Sequence, residues 1–244
     1  MTIALITGSN RGIGYATARA LAATGVSVIL TGRNFNKVDR AAKAIRDSGH
    51  QASSLELDVT ETSSVANAAA QVQQQHGSLD ILVNNAGIVA EDLTGTDTEF
   101  ADVELFEMTY QVNVFGVVAV TEAFLPLLRQ SSQARIVNVS STMGSLNDQS
   151  DPDSNYYGMI VPAYQSSKAA LNCMTIGMAK KLSETNIKVS SVCPGFVQTD
   201  LTPINRDNAP LTAEQASTVI VAAATLSEEA DNGSFFDRDG PVAW

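Results

Sequence analysis

Of the five tyrosines in this 244-residue chain, only Tyr164 is followed four positions later by a lysine, Lys168. At that spacing the two side chains share one face of a helix. A free phenol, with a pKa of about 10, ionises little at neutral pH, and a nearby ammonium favours its phenolate. Such a pair suits the transfer of a proton to or from an oxygen. Tyr-x-x-x-Lys also arises by chance on solvated helices, so its meaning depends on what surrounds it. Ser141 closes a β-branched run that starts at Arg135 and can offer a hydroxyl hydrogen to the same oxygen, with Ser140 as its structural companion. Asn113 lies in the middle of an apolar helical segment, where an amide is costly unless hydrogen-bonded. A core contact across a helix irregularity would satisfy it.

A second group of residues supplies a place for a charged cofactor. Thr7-Gly8-Ser9-Asn10-Arg11-Gly12-Ile13-Gly14 follows a short apolar run and precedes an Ala-rich helix. Glycines at a strand-to-helix turn let the backbone approach a pyrophosphate, and the amides and dipole of the helix start favour its negative charge. The next strand ends at Thr31-Gly32-Arg33-Asn34, with no acid to accept hydrogen bonds from a free ribose 2′-hydroxyl. Arg11 and Arg33 can instead pair with a 2′-phosphate, so NADP(H) is the expected cofactor and NAD(H) the alternative. Hydride delivery to a carbonyl leaves negative charge developing on its oxygen, which calls for a proton donor and a polariser. Tyr164 and Ser141 would fill those two roles.

These residues need a scaffold that brings chain segments far apart in sequence to one edge. Strand-like runs recur at Ile3 to Ile6, Val26 to Leu30, Ser54 to Leu57, Ile81 to Val83, Arg135 to Val139, Ile187 to Val192 and Ser234 to Phe236. Between them, Ala16 to Ala23, Val38 to Ile45, Val65 to Val72 and Phe106 to Leu128 carry helical periodicity, and Gly25, Gly49 and Gly77 stand where helices close. Thr212 followed by Gln215 is a capping-box signal for a last helix over about 212 to 228. The alternation predicts an α/β fold: one doubly wound (Rossmann) domain over 1–244, with a seven-stranded, mainly parallel sheet covered by helices on both faces. The stretch 142–162, rich in Ser, Asn, Asp and Gly, reads as an elaborated loop.

Further motifs stand in one order with the glycine turn. They are Asp58 in Leu-Asp-Val-Thr, Asn84-Asn85-Ala86-Gly87, Asn113 in Val-Asn-Val-Phe-Gly, Ser140-Ser141, Tyr164-Gln165-Ser166-Ser167-Lys168, and Pro194-Gly195-Phe196-Val197-Gln198-Thr199. Together they resemble the classical branch of the short-chain dehydrogenase/reductase family over nearly the whole chain, from Ile3 to about Gly240. Arg11, Arg33, the run from Cys193 to Asp200 and the short aromatic tail are most similar to NADPH-dependent carbonyl reductases. The resemblance implies that Asp58 and Val59 contact the adenine, and that Asn85, Ala86 and Gly87 line the adenosine-side groove. It further implies that Val197 and Thr199, after Pro194 and Gly195, engage the nicotinamide carboxamide. Lys168 would also bond the nicotinamide ribose, and Asn113 would hold a relay water. The segment between Ser141 and Tyr164 is longer than the family pattern, and the excess is the 142–162 loop. Taken singly, Asp58 can cap a helix near Thr60, Asn84 to Gly87 can be a plain turn, and Pro194-Gly195 can end a strand. A cofactor-binding redox sensor without turnover is the second functional reading. A nucleotide-sugar epimerase or dehydratase would need more chain after residue 200.

Composition narrows the partners. Hydrophobic residues make up 44% and charged residues 17%, a globular balance. Fifteen Lys and Arg against 26 Asp and Glu give a net charge of −11, with no basic cluster, so a small-molecule substrate is expected and nucleic acid is not. Cys173 and Cys193 sit in apolar segments without metal-ligand spacing, which predicts buried, reduced thiols and a cytoplasmic, reducing setting. No leader and no apolar run of the roughly 20 residues that span a bilayer is read, so no membrane partner is expected. His50 and His76 lie near helix ends and receive no role, and no metal site is expected. Specificity should reside in loops at 88–98, 142–162 and 200–211. Tyr156 and Tyr157 would pack the loop or line the substrate entrance. Asp148, Asp151 and Asp153 suit a solvated loop better than a cationic-substrate site. The insertion before Tyr164 favours a monomer over a homodimer or homotetramer.

Overall fold

A computed structural model describes residues 1–91 and 99–244. Seven strands, β1 (Ile3–Ile6), β2 (Ser27–Gly32), β3 (Ala52–Glu56), β4 (Ile81–Asn84), β5 (Ala134–Val139), β6 (Ile187–Val192) and β7 (Ser234–Phe236), form one sheet in the order β3-β2-β1-β4-β5-β6-β7. Every pairing is parallel. The order reverses beside β1, so the β1–β4 junction opens a crevice at the carboxyl ends of the strands, where doubly wound sheets take their ligands. This is the expected architecture.

Helices α1 (Gly12–Ala23), α2 (Phe35–Asp47) and α3 (Thr62–His76) follow the first three strands. Next come α4 (Val103–Tyr110) and α5 (Gly116–Leu128), then the short α6 (Leu146–Ser150), the long α7 (Pro162–Lys181), α8 (Pro203–Asn208) and α9 (Ala213–Ala224). Leu21 of α1, Val38 and Ile45 of α2 and Ile220 of α9 bury one face of the sheet. Val65 and Val72 of α3, Phe124 and Leu128 of α5 and Ala179 of α7 bury the other. Fully burying a side chain such as Phe124 stabilises by about 1.5–3 kcal/mol, so these two layers hold the sheet edge that carries the site. Helix α9 starts with the expected capping box, Thr212 accepting from the Gln215 amide at 3.2 Å while Gln215 accepts from the Thr212 amide at 2.9 Å.

Five expectations are corrected. The helix read as continuous over 106–128 is α4, a π-helical turn at Gln111–Phe115, and α5, because one extra residue is accommodated at Asn113. Val103–Leu128 as a whole is 26 residues with a mean hydropathy of 1.6 over its most apolar window, long and apolar enough to cross a membrane, whereas no such run was expected; half of that window is buried in the domain. The 142–162 loop contains a 3-10 turn (Thr142–Gly144) and α6, each started by a serine: Ser141 accepts from Met143 N–H and Ser145 from Asp148 N–H. Cys193 is buried, but Cys173 lies on the outward face of α7 and is exposed. Helix α9 also ends at Ala224, short of 228.

The first part of the insert is tied down twice. A Cβ on Gly144 would lie 2.6 Å from the Lys168 carbonyl carbon, so the 3-10 turn presses directly on the backbone of α7. The Asn147 amide donates to the Trp244 carbonyl at 3.3 Å, and the Trp244 ring stands 5.4 Å from that of Phe235.

Candidate active site

The β1–α1 turn is built to bring backbone, not side chains, to the crevice. Gly8 and Gly12 have φ of +63° and +58°, a region costly for residues with a Cβ. At Gly14 a Cβ would stand 2.5 Å from the Asn85 amide nitrogen and 2.9 Å from the Gly8 carbonyl oxygen. Thr7 locks this turn to the end of β4, its Oγ1 accepting from the Asn85 and Ala86 amides at 2.9 Å each. Asn85 returns the contact, donating from Nδ2 to the carbonyls of Thr7 (2.8 Å) and Gly8 (3.2 Å). The turn therefore has the glycine cradle and helix start that a pyrophosphate requires.

From that turn a groove of about 670 Å³ runs to Tyr164 and Lys168. Gly8, Asn10, Arg11, Gly12, Ile13, Gly14, Arg33, Asp58, Val59, Asn85, Ala86, Gly87, Pro194, Gly195, Val197 and Thr199 all line it, together with Ser141, Tyr164 and Lys168. Asn113 alone of the assigned residues sits behind the wall, fully buried. Arg33 and Asp58 lie just beyond the carboxyl ends of β2 and β3. Asp58 also makes the local turn that its position allows, accepting from the Thr60 amide at 3.0 Å and hydroxyl at 2.7 Å, but α3 itself starts later, at Thr62. Arg33 is exposed and makes no ion pair among the described residues. Arg11, by contrast, is bound to Asp200 at 2.7 Å. Beside the β1–α1 turn a smaller cavity is lined by Asn10, Tyr15, Lys37, Arg40 and Ala41.

At the other end, Lys168 is 5% exposed and its Nζ donates to the Val139 carbonyl at 2.8 Å, 5.6 Å from the centre of the Tyr164 ring. Burial lowers its ammonium to a pKa of about 8, with Cys193 opposing. The phenol of Tyr164 is pushed up, first by burial, then by the neighbouring Cys193, while the Ser141 side chain acts in the lowering sense and Glu91 and Tyr156 raise it further. Burial is the largest influence, so the phenol stands above its ordinary value rather than below it. Asn113 makes a closed set of contacts, accepting from the Ile88 amide (2.9 Å) and donating to the Ile88 carbonyl (2.9 Å) and Ser167 hydroxyl (3.1 Å). Its place on the π turn aims it at the segment after β4. A Cβ on Gly87 would lie 3.4 Å from Asn113 Oδ1 and 3.6 Å from Lys168 Nζ, in ordinary contact with both, so Gly87 stands directly against these two side chains.

Sequence reasoning missed three contributors. Asp200 and Arg206 line the groove and pair at 2.9 Å, although Asp200 had been noted only as the end of a motif. Glu91, which bonds the start of α7, carried no local signal at all. Of the loops expected to set specificity, residues 92–98 lie outside the described residues.

The family model for short chain dehydrogenase matches residues 2–209. A short-chain dehydrogenase of Penicillium roqueforti is 37% identical, covering 91% of this chain and 88% of its own, and the (+)-neomenthol dehydrogenase of Arabidopsis thaliana is 34% identical over 96% and 95%. Among solved structures, the NADPH-bound carbonyl reductase from chicken fatty liver superposes with a TM-score of 0.83 at 28% identity, covering all of both chains. Salutaridine reductase from Papaver somniferum does so with a TM-score of 0.82 at 29% identity over 98% and 100%. The chain belongs to the short-chain dehydrogenase family. It is an oxidoreductase built to use a nicotinamide dinucleotide on a small-molecule substrate.

Proposed function

We propose that the protein reduces a carbonyl (an aldehyde, ketone or quinone) to the alcohol with NADPH, and that Tyr164 delivers the proton. The observation that carries this reading is the half-buried phenol standing beside the Lys168 ammonium, 5.6 Å from Nζ to ring centre, at the end of a glycine-cradled groove. The nicotinamide, when bound, supplies the hydride. The chain's own residues do the rest. Gly8, Gly12 and Gly14 admit the pyrophosphate, Arg33 offers its fork to a 2′-phosphate, and Val197 and Thr199 hold the carboxamide end. Ser141 polarises the substrate oxygen, and Tyr164 gives it a proton as negative charge develops. Lys168, held on Val139, faces the phenolate that remains and stabilises it. Asn113 fixes the wall against which Lys168 packs.

Three observations support parts of this reading. A phenol held protonated is ready to act as an acid, which favours the reductive direction. Arg33 has no carboxylate competing for it among the described residues, and relatives include an NADPH-bound reductase. Both cysteines are unpaired, which suits a reducing, cytoplasmic setting. The insert lies against α7, so we also propose a monomer.

Replacing Tyr164 with Phe removes the proton and leaves the ring. NADPH oxidation across a panel of aldehydes, ketones and quinones should fall by about a hundredfold or more. NADPH should still bind, and more tightly than NADH. Full turnover in Tyr164→Phe would end the assignment, and tighter NADH binding would end the cofactor choice.

A further inference from the structure

Helix α7 carries Tyr164 in its first turn, and its own sequence cannot close that turn. The capping position is Val161, which has no side-chain oxygen, and Pro162 has no N–H. The first amides in need of an acceptor are therefore those of Ala163 and of Tyr164 itself. Both donate to a single oxygen, Glu91 Oε1, at 2.6 Å and 3.0 Å. Glu91 stands 72 and 73 residues earlier in the chain, beyond the end of β4. It is half-buried, and its second oxygen, Oε2, is buried without a hydrogen-bond partner among the described residues. A carboxylate with one oxygen in two short bonds and the other unpartnered is an unusual way to cap a helix, since an amide or hydroxyl would serve without burying a charge.

We propose that Glu91 is a positioning residue for Tyr164, its carboxylate fixing the first turn of α7 and its negative charge holding the phenol protonated until the substrate oxygen needs the proton. The inference rests on the reading of Tyr164 as the proton donor. A helix start carries the equivalent of a partial positive charge, which would favour the phenolate of a tyrosine in that turn. Glu91 cancels it. Four ionisable groups from four parts of the fold face the phenol: Lys168 on α7, Cys193 after β6, Tyr156 in the insert and Glu91 after β4. Burial is the largest influence, and Cys193, Glu91 and Tyr156 all press in the raising direction. Glu91 is the one that also bonds the Tyr164 backbone. It thereby couples the position of the ring to its acidity.

The two roles separate by substitution. Glu91→Gln keeps an oxygen for both amides and removes the charge. Removing a negative charge favours the phenolate, so the pH above which carbonyl reduction falls should move down, by about half a unit or more. Alcohol oxidation should rise correspondingly earlier. Val161→Ser together with Glu91→Gln places a neutral cap on α7 itself, so the shift can be read even where the single variant folds poorly. The measurement is the pH profile of kcat/KM, with Tm alongside. A lower limb in both variants, with the double variant's Tm close to that of the unsubstituted protein, supports the proposal. A limb that stays in place in the double variant overturns it, whatever happens to Tm, because the carboxylate would then be a cap alone. Turnover retained in Tyr164→Phe would instead sink the functional reading on which the inference stands.

Discussion

The two ends of the groove are made by opposite means. At the nucleotide end, the wall is backbone: the glycines at 8, 12 and 14 remove side chains so that peptide groups face the crevice, and Thr7 and Asn85 tie that backbone down. At the reacting end, the wall is side chain: Lys168, Asn113 and the partly exposed Tyr164 are polar groups held in dense protein by partners from four chain segments. The first kind of site tolerates no added atom. The second tolerates no lost partner. Geometry dominates one end and electrostatics the other, so substitutions at the two ends should fail differently.

Gly14→Ala should give the largest effect and tests the first half of that contrast. The new methyl would sit 2.5 Å from Asn85 Nδ2 and within 2.9 Å of the Gly8 carbonyl, and the carbonyl cannot swing away. Overpacking of this kind costs about 1–3 kcal/mol, and here it also displaces the cradle. NADPH affinity should drop beyond the measurable range, with a lowered Tm. An alanine variant that bound NADPH normally would mean that the turn bends freely, and the contrast would be lost.

Lys168→Met tests the other half. The folded ammonium has a pKa of about 8 against an ordinary 10.5, so the folded state holds this proton less well than the unfolded chain. Stability conferred by the neutral amine is therefore full above pH 10.5, is lost as pH falls toward 8, and is flat below that. Methionine, similar in size and uncharged, should remove that slope and leave Tm at pH 7 unchanged or higher, while turnover falls by about a hundredfold or more. A Tm that collapses at pH 7 would show that the ammonium supports the fold through Val139 rather than straining it.

The same contrast governs what could be read from the sequence. Glycine spacing is a local signature of local geometry, so the turn at 8–14 was legible, as were the sheet and strands such as β6 and β7, whose limits coincide with their apolar runs. The Tyr164–Lys168 pair was legible because helical periodicity fixes its spacing. Its electrostatic balance was not, because it is set by burial and by Val139, Cys193 and Glu91, none of which neighbours the pair in sequence. The π turn at Asn113 escaped because hydrophobic periodicity does not register a single slipped backbone hydrogen bond. The short helices of the insert escaped because serine caps and polar loops share one composition. Cys173 was misread for a related reason: the apolar run around it belongs to a helix whose outer face it occupies.

Asp200→Asn probes where the two regimes meet, and its effect should be the smallest. Asp200 holds Arg11 of the cradle at 2.7 Å and Arg206 of α8 at 2.9 Å across the mouth of the groove. Both arginines lower the carboxyl below the usual range, with Arg206 acting most strongly. All three groups are largely exposed, and such pairs contribute about 0–1 kcal/mol, so Tm should scarcely move. Freeing Arg11 and Arg206 leaves two unpaired guanidinium groups beside the phosphates, and NADPH should bind a few-fold tighter at low salt, with the gain fading as ionic strength rises past about 0.15 M. A weaker NADPH complex in this variant would instead make Asp200 part of the cradle, a clasp that orders Arg11, and would extend backbone-like rigidity to the side chains at the groove's rim.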